Sequence, residues 1–487
     1  LFGRPASELV EELKARVAQL DRYQDHRILG FPGTAPEPVA LKAQALFSKY
    51  NPNNIGTHTH GDGTDGEKGA FEASQQLERE VIYTLGSLLG GYAVRPVDEA
   101  IDGYLTSGAT EANEMGLWIG RNKLCPELGA RGAKERDRLG RKALLDERIC
   151  VIAPASAHYS IRKACNKLGL GEGTWSPCAR GKDCATRALL HAEGGQAALV
   201  PHRFRPNPDG SGLVLASLDE RGRVDVRDVE ARIDRALALG VRKFILVATA
   251  GTTMTGAFDP VADLAALAER KEREVPGAQF YLHVDAAFGG LVAPFLPEAE
   301  RPVFDFRVPR VDSLAVDMHK MGMVPYPGGV FLCRKGLQRH VQRAVAYVAG
   351  HSDDTILGSR PGTAAATCWA VLSHLGRNGF ERIIGRCIRN TRYLERKLVQ
   401  AGATTVTPPM INILAAEFDA RRFRPERVRE IAWCGKPGES FRVVPELFCR
   451  DASQCPRRVY RFTVMPHVLR RTIDDFIGAL NEARVSG

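Results

Sequence analysis

Between residues 100 and 335, short apolar runs alternate with amphipathic stretches of helical period, and this alternation limits the chain to one class of architecture. "RICVIAPASAH" (148–158), "KFILVATAG" (243–251), "FYLHVDAAFGG" (280–290) and "DSLAVDMH" (312–319) read as buried strands. Beside and between them lie the helical stretches "TEANEMGLWIGRNKL", "YSIRKACNKLG", "DVRDVEARIDRALALG" and "PVADLAALAERKERE". Strand and helix in alternation predict a mainly parallel sheet with helices on both faces. In such sheets ligands bind beyond the carboxyl ends of the strands.

The flanking segments suggest three regions. Residues 1–60 hold an amphipathic helix and the Pro/Gly-rich "GFPGTAPEP". Residues 61–340 hold the sheet, with a helix over 75–91 that aligns Leu77, Val81, Leu85 and Leu88 on one stripe. Within it, 171–212 fits the alternation poorly and reads as a surface insertion, which makes Cys178, Cys184 and His191 surface residues. Residues 341–487 read as a smaller α+β domain, closed by "RVYRFTVMPHV" (458–468) and an amphipathic helix. At 487 residues, the chain exceeds one simple core.

Composition narrows the function classes. Lys and Arg exceed Asp and Glu by ten, yet no nucleic-acid motif accompanies the charge. The eleven cysteines are scattered, with no CxxC, which argues for reduced thiols in the cytoplasm and against structural zinc. No apolar run reaches the length of a membrane span, and the N-terminal stretch lacks a signal-peptide layout.

The chemistry sits at strand ends. Asp285 closes one apolar strand, His158 another, and His319 and Lys320 a third. "YLTSGATEAN" (104–113) passes from a short apolar run through a small-residue turn into a helix. Such a turn offers backbone N–H groups and a positive dipole end to a phosphate. A lysine amine, a carboxylate and a phosphate cradle are what pyridoxal 5′-phosphate requires. The amine forms a Schiff base with its aldehyde, the carboxylate keeps the pyridine nitrogen protonated, and the helix N-terminus takes its phosphate. Lys320 lies between the apolar runs "SLAV" (313–316) and "GVFLC" (329–333), and such a covalent role explains a lysine placed there.

In "TSGATEAN", "AHYSIRKACNKLGL", "ATAGTTMTGAFDPV", "HVDAAFGG", "DMHKMGMVPYPGG", "GSRPG" (358–362) and "RFTVMPHV", the chain resembles the pyridoxal-phosphate-dependent group II amino-acid decarboxylases, nearest the archaeal-type tyrosine/aspartate decarboxylases. The resemblance implies a fold-type-I transferase fold with a mainly parallel, seven-stranded type of sheet and a smaller C-terminal domain. It implies a homodimer with a shared active site, and decarboxylation of an L-amino acid to its amine. By the same resemblance, Lys320 is the Schiff-base lysine, Asp285 the pyridine-nitrogen partner and His158 the residue stacked on the ring. Gly108, Ala109 and Thr110 bind phosphate with help from His319, Thr253 hydrogen-bonds near Asp285, and Ala287 packs beneath the ring. "HTHGDGTDGE" (58–67) alternates His58, His60 and Asp62, but the family has a substrate-side loop there, so no metal is expected.

Two points stay open at this stage. Related enzymes carry a tyrosine in the mobile loop ahead of the "GSRPG" position, whereas "AYVAGHSDDTIL" (346–357) has none near its centre. His351, Tyr347 or Tyr326 are the alternatives for protonating Cα. Arg360 is the candidate contact for a substrate carboxylate or a phosphate. The runner-up reaction is carbon–carbon cleavage of the sphingosine-1-phosphate lyase type, which shares "GSRPG" and the Asp-x-His-Lys arrangement. Aspartate, glutamate, tyrosine and other aromatic amino acids all remain possible substrates.

Overall fold

A computed structural model describes residues 4–25, 27–59, 70–91, 96–126, 148–176, 203–345, 352–434, 440–451 and 457–485. Its main sheet is built from Ile101–Thr106 (β1), Ile149–Pro154 (β2), Gly212–Ala216 (β3), Lys243–Thr249 (β4), Gln279–Asp285 (β5), Ser313–Asp317 (β6) and Gly329–Arg334 (β7). The order across the sheet is β1-β7-β6-β5-β4-β2-β3. Strands β6, β5, β4, β2 and β3 are parallel, and β7 runs against both its neighbours. The carboxyl ends of the other six strands, and the start of β7, therefore share one edge.

The strands are apolar on both faces because both faces are covered. Along β4, Phe244 and Leu246 enter one buried cluster while Ile245 and Val247 enter the other. Helix Ala109–Leu124 (α4) packs over β5, β6 and β7. The other face packs against Glu72–Leu88 (α3), Val226–Ala238 (α6) and Val261–Glu274 (α7), whose buried residues share a cluster with the strands. Two further helices precede these, Ala6–Val17 (α1) and Pro38–Ser48 (α2), and Tyr159–Lys167 (α5) follows α4.

Gly362–Gln400 (α8) leads from the main sheet to a four-stranded one made of Thr404–Thr405 (β8), Ile413–Glu417 (β9), Val444–Phe448 (β10) and Arg457–Thr463 (β11). Helix Arg470–Glu482 (α9) covers this sheet through Ile473, Phe476 and Leu480, which join Leu414 and Phe462 in a third buried cluster. The seven-stranded sheet and the small C-terminal sheet match the fold class expected from the sequence.

The alternation did not single out β3, because it borders the stretch read as an insertion. The ends of that stretch, Thr174–Ser176 and Arg203–Arg205, pair antiparallel. Cys178, Cys184 and His191 lie outside the described residues, as do His60, Asp62, Tyr347 and His351.

Candidate active site

At the shared edge, Gly329 is in register with both Thr106 and Asp317. This brings the Ser107–Gly108 turn against the start of β7 so closely that a Cβ on Gly329 would collide with Gly108 Cα. The turn opens α4, whose first N–H groups have no intrahelical acceptors. One of them, at Ala109, donates to Asp317 Oδ1 at 2.7 Å. Gly108 also faces His319: a Cβ there would meet His319 Cε1 at 3.4 Å. Gly108, Ala109, Thr110 and His319 are thus gathered in one place.

Lys320 stands just past β6, four-fifths buried, with Nζ 2.9 Å from Asp317 Oδ2. His319 Nε2 lies 3.5 Å from the same oxygen. Asp317 therefore ties the lysine to the helix turn. The sequence reading saw it in the Asp-x-His-Lys arrangement but gave it no role, although it closes an apolar strand three residues ahead of the lysine.

Asp285 ends β5 and is buried. Its Oδ2 accepts from Asn113 Nδ2 at 2.9 Å, and its Oδ1 from the Ala287 N–H at 3.1 Å. His158 follows β2 and caps α5, accepting from Ser160 through Nδ1. It sits within electrostatic reach of Asp285, Lys320, Asp317 and Arg461, and burial pulls its pKa below the usual histidine value. The imidazole is accordingly neutral near pH 7. Burial likewise lowers the pKa of His319.

Two of the residues expected from the sequence sit in surroundings that differ from the expectation. Thr253 is exposed in the turn after β4. The threonine beside Asp285 is Thr249, its partner in the β4–β5 register. Arg360 lines a small cavity with Ser107 and Pro327, its Nε without a hydrogen-bond partner among the described residues, but most of its guanidinium is already engaged. It is buried, ion-paired with Glu78, donates to the carbonyls of Leu105 and Gly56, and lies over the Tyr104 ring at 5.1 Å. A buried carboxylate such as Glu78 needs a cation, and Arg360 supplies it.

A second arginine, Arg461 of β11, lies within electrostatic reach of His158. It is 7% exposed, its nearest carboxylate oxygen, on Glu446, is 3.5 Å away, and its Nε has no hydrogen-bond partner among the described residues. An arginine inside the apolar run "YRFTV" was the signal for it. Tyr326 lies over His319, with ring centroids 4.2 Å apart, and is 64% exposed. Burial of its phenol raises its pKa, so the O–H form prevails. His58 lies 3.6 Å from Glu78, and no metal-binding group occurs among the described residues.

The pocket fits pyridoxal 5′-phosphate on features of its own. Thr249 Oγ1 and His319 Nδ1 are buried without partners, as atoms awaiting a polar ligand are. The Gly108 turn forms a cradle beside them, and a lysine amine and a doubly hydrogen-bonded carboxylate lie at the same edge.

Behind Asp285, His283 is fully buried, and burial drives its pKa down to about 3 from 6.5. Between those values the unfolded chain takes up a proton that the folded chain does not. Folding stability from this group is therefore complete above about pH 6.5 and is lost as pH falls toward about 3. The destabilisation caused by His283→Asn should shrink by up to about 1.4 kcal/mol per pH unit below about pH 6.5. Denaturant titrations of both proteins at pH 7 and pH 5 would check this.

Comparison with known proteins agrees with the geometry. Residues 211–411 match the conserved domain of pyridoxal-dependent decarboxylases. A probable L-tyrosine/L-aspartate decarboxylase of Methanosarcina barkeri is 30% identical over 464 residues, covering 94% of this chain and 92% of the relative. An L-aspartate/L-glutamate decarboxylase of Pyrococcus horikoshii is 29% identical over 490 residues, covering 99% and 98%. Among solved structures, L-methionine decarboxylase from Streptomyces shares the fold at a TM-score of 0.70 and 22% identity, covering 99% of this chain and 95% of that one. A sphingosine-1-phosphate lyase of Burkholderia pseudomallei does so at 0.67 and 23%, covering 99% and 91%. The chain belongs to the pyridoxal-dependent decarboxylases, and its reaction is the pyridoxal 5′-phosphate-dependent decarboxylation of an L-amino acid.

Proposed function

We propose that this reaction is carried by Lys320, Asp285 and His158, on an L-amino acid whose carboxylate is received by Arg461. The observation that carries the reading is the convergence of the lysine, the carboxylate, the histidine and the helix turn on one sheet edge. Pyridoxal 5′-phosphate bound there supplies the electron sink for the pair left on Cα when CO2 departs.

In this reading Lys320 is the amine that anchors the cofactor. Asp285 holds a proton on the ring nitrogen. His158 covers one ring face, Ala287 packs on the other, and Thr249 fills the place expected for Thr253. Gly108, Ala109 and Thr110 take the phosphate, with His319 beside them. Asp317 positions both Lys320 and the turn. Arg461 would hold the substrate carboxylate and so orient the bond that breaks. Tyr326, in its O–H form, is our choice for returning a proton to Cα, with His351 and Tyr347 as the remaining alternatives.

We take 61–340 as the cofactor-holding region and 341–487, with Arg461, as the smaller region that closes on it. The homodimer finds support in α1 and α2. No residue of α1 is buried, and Leu9, Val10, Leu13 and Val17 form an exposed apolar face, with Leu41 and Leu46 exposed on α2. Placing Glu at Leu9 and Leu13 should shift the protein from dimer to monomer in analytical ultracentrifugation. An unchanged sedimentation coefficient would remove α1 from the interface. A cytoplasmic setting is supported by Cys150, Cys165, Cys333, Cys368, Cys387 and Cys449, which form no disulfide among the described residues. No described helix is long and apolar enough to cross a membrane.

L-Aspartate, L-glutamate and L-tyrosine are the first substrates to test. Incubation of the cofactor-loaded protein with each in deuterated water should give an amine that has lost CO2 and gained one deuterium at Cα, read by mass spectrometry. No product from any L-amino acid, with the cofactor bound, would overturn the proposal. The carbon–carbon lyase alternative loses ground because the relatives at about 30% identity are named decarboxylases, while the lyase is matched in fold at 23% identity.

A further inference from the structure

Asn113, on the first turns of α4, touches three polar groups at once. Its Nδ2 donates to Asp285 Oδ2 and to Ser160 Oγ, both at 2.9 Å. Its Oδ1 meets His283 Nε2 at 2.9 Å. Beyond His283, Nδ1 lies 2.8 Å from Ser313 Oγ, which accepts from the Tyr281 hydroxyl at 2.8 Å. Asn113, His283, Ser313 and Tyr281 are all essentially buried, so no bulk water competes for these bonds.

The direction of every bond follows from one constraint. Only an N–H can face the Asp285 carboxylate, so the Asn113 amide oxygen must face His283. His283 then carries its proton on Nε2, and its Nδ1 accepts from Ser313. Ser313 has spent its proton and accepts from Tyr281. On the other branch, Ser160 accepts from Asn113 and gives its own proton to His158 Nδ1, 2.9 Å away. The Ser160 N–H also points at that nitrogen, at 3.4 Å. His158 is left with its proton on Nε2.

The fold makes room for this chain. Gly116 and Gly120 lie one and two turns along α4 from Asn113. A Cβ on Gly116 would run into the His283 ring, and one on Gly120 into the Tyr281 ring. The helix can lie close over β5 only because both positions lack a side chain.

We infer that Asn113 is a positioning residue that sets the proton pattern of the cofactor pocket. It donates both to Asp285, at the end of the donor chain that starts at Tyr281, and to Ser160, which passes a proton donor on to His158, and so couples Asp285 to the Nε2–H form of His158. The inference rests on the proposed roles of Asp285 and His158. It adds that these two groups are set together by one amide rather than separately.

Nuclear magnetic resonance of the holoenzyme with 13C,15N-labelled histidine tests this without any variant. His158 and His283 can be assigned through the signals lost in His158→Gln and His283→Gln. At pH 7 both should be neutral Nε2–H tautomers. An Nδ1–H or doubly protonated form of either would overturn the inference. Asn113→Asp keeps the size of the side chain but removes the donor. It should disturb the His158 tautomer, move the pH titration of bound-cofactor absorbance by roughly one unit, and lower kcat about ten- to a hundredfold. KM should stay within about twofold, because the substrate contacts remain. Asn113→Ser, which keeps a donor, should recover part of the loss. Wild-type tautomers and titration in Asn113→Asp would also overturn it. If instead the wild type bound no cofactor through Lys320, the proposed roles would fail, whatever the tautomers.

Discussion

Lys320→Ala is expected to abolish turnover together with the cofactor adduct that borohydride traps on the chain. The lysine amine is the group that can hold the cofactor covalently, and its Nζ lies 2.9 Å from Asp317. Removing it leaves Asp317 its hydrogen bond from the Ala109 N–H. The side chain belongs to no apolar cluster, so the fold should persist. Turnover should fall by at least roughly 10³-fold, as it does when a group acting as part of a catalytic unit is lost. Mass spectrometry after reduction should find the adduct on Lys320 in the wild type and nowhere in the variant. Far-UV circular dichroism should match the wild type. Surviving turnover would assign the anchoring amine to another residue.

Legibility in the sequence followed physical scale. The strands β2, β4, β5 and β6 were readable because a strand covered on both faces has to be apolar throughout. The strand ends were readable for the complementary reason. Asp285, His158 and Lys320 interrupt apolar runs, and a charged or polar group there requires a partner or a task. What escaped depended on register and on long-range pairing. Whether Thr249 or Thr253 stands beside Asp285 is decided by the β4–β5 ladder, and the motif holds threonines at both positions. Arg360 and Arg461 are both arginines near small or apolar residues. Only the fold reveals that Glu78, 282 positions away, already engages the first. Strand β3 went unrecognised because Gly212 opens it directly after a turn-rich stretch. Asn113 lay in plain view in "TSGATEAN", but its importance comes from the two elements, β5 and α5, that converge on it.

Arg461→Met should remove the contact for the substrate carboxylate while leaving the cofactor in place. The guanidinium is buried on the smaller sheet, and among the described residues its charge is opposed by Glu446 at 3.5 Å and its Nε has no partner. A desolvated cation held in this way interacts strongly with an incoming carboxylate, and losing such a pair costs about 2–5 kcal/mol. In kcat/KM this is a loss of roughly 30- to 5,000-fold. Arg461→Lys should recover part of it, since the charge returns without the planar pair of donors. The discriminating measurement uses ligands that lack the carboxylate. The product amine and the amino-acid methyl ester should bind Arg461→Met about as well as they bind the wild type, while the amino acid binds far more weakly. A parallel loss for all three would mean that Arg461 supports the sheet around the site and that the carboxylate is received elsewhere.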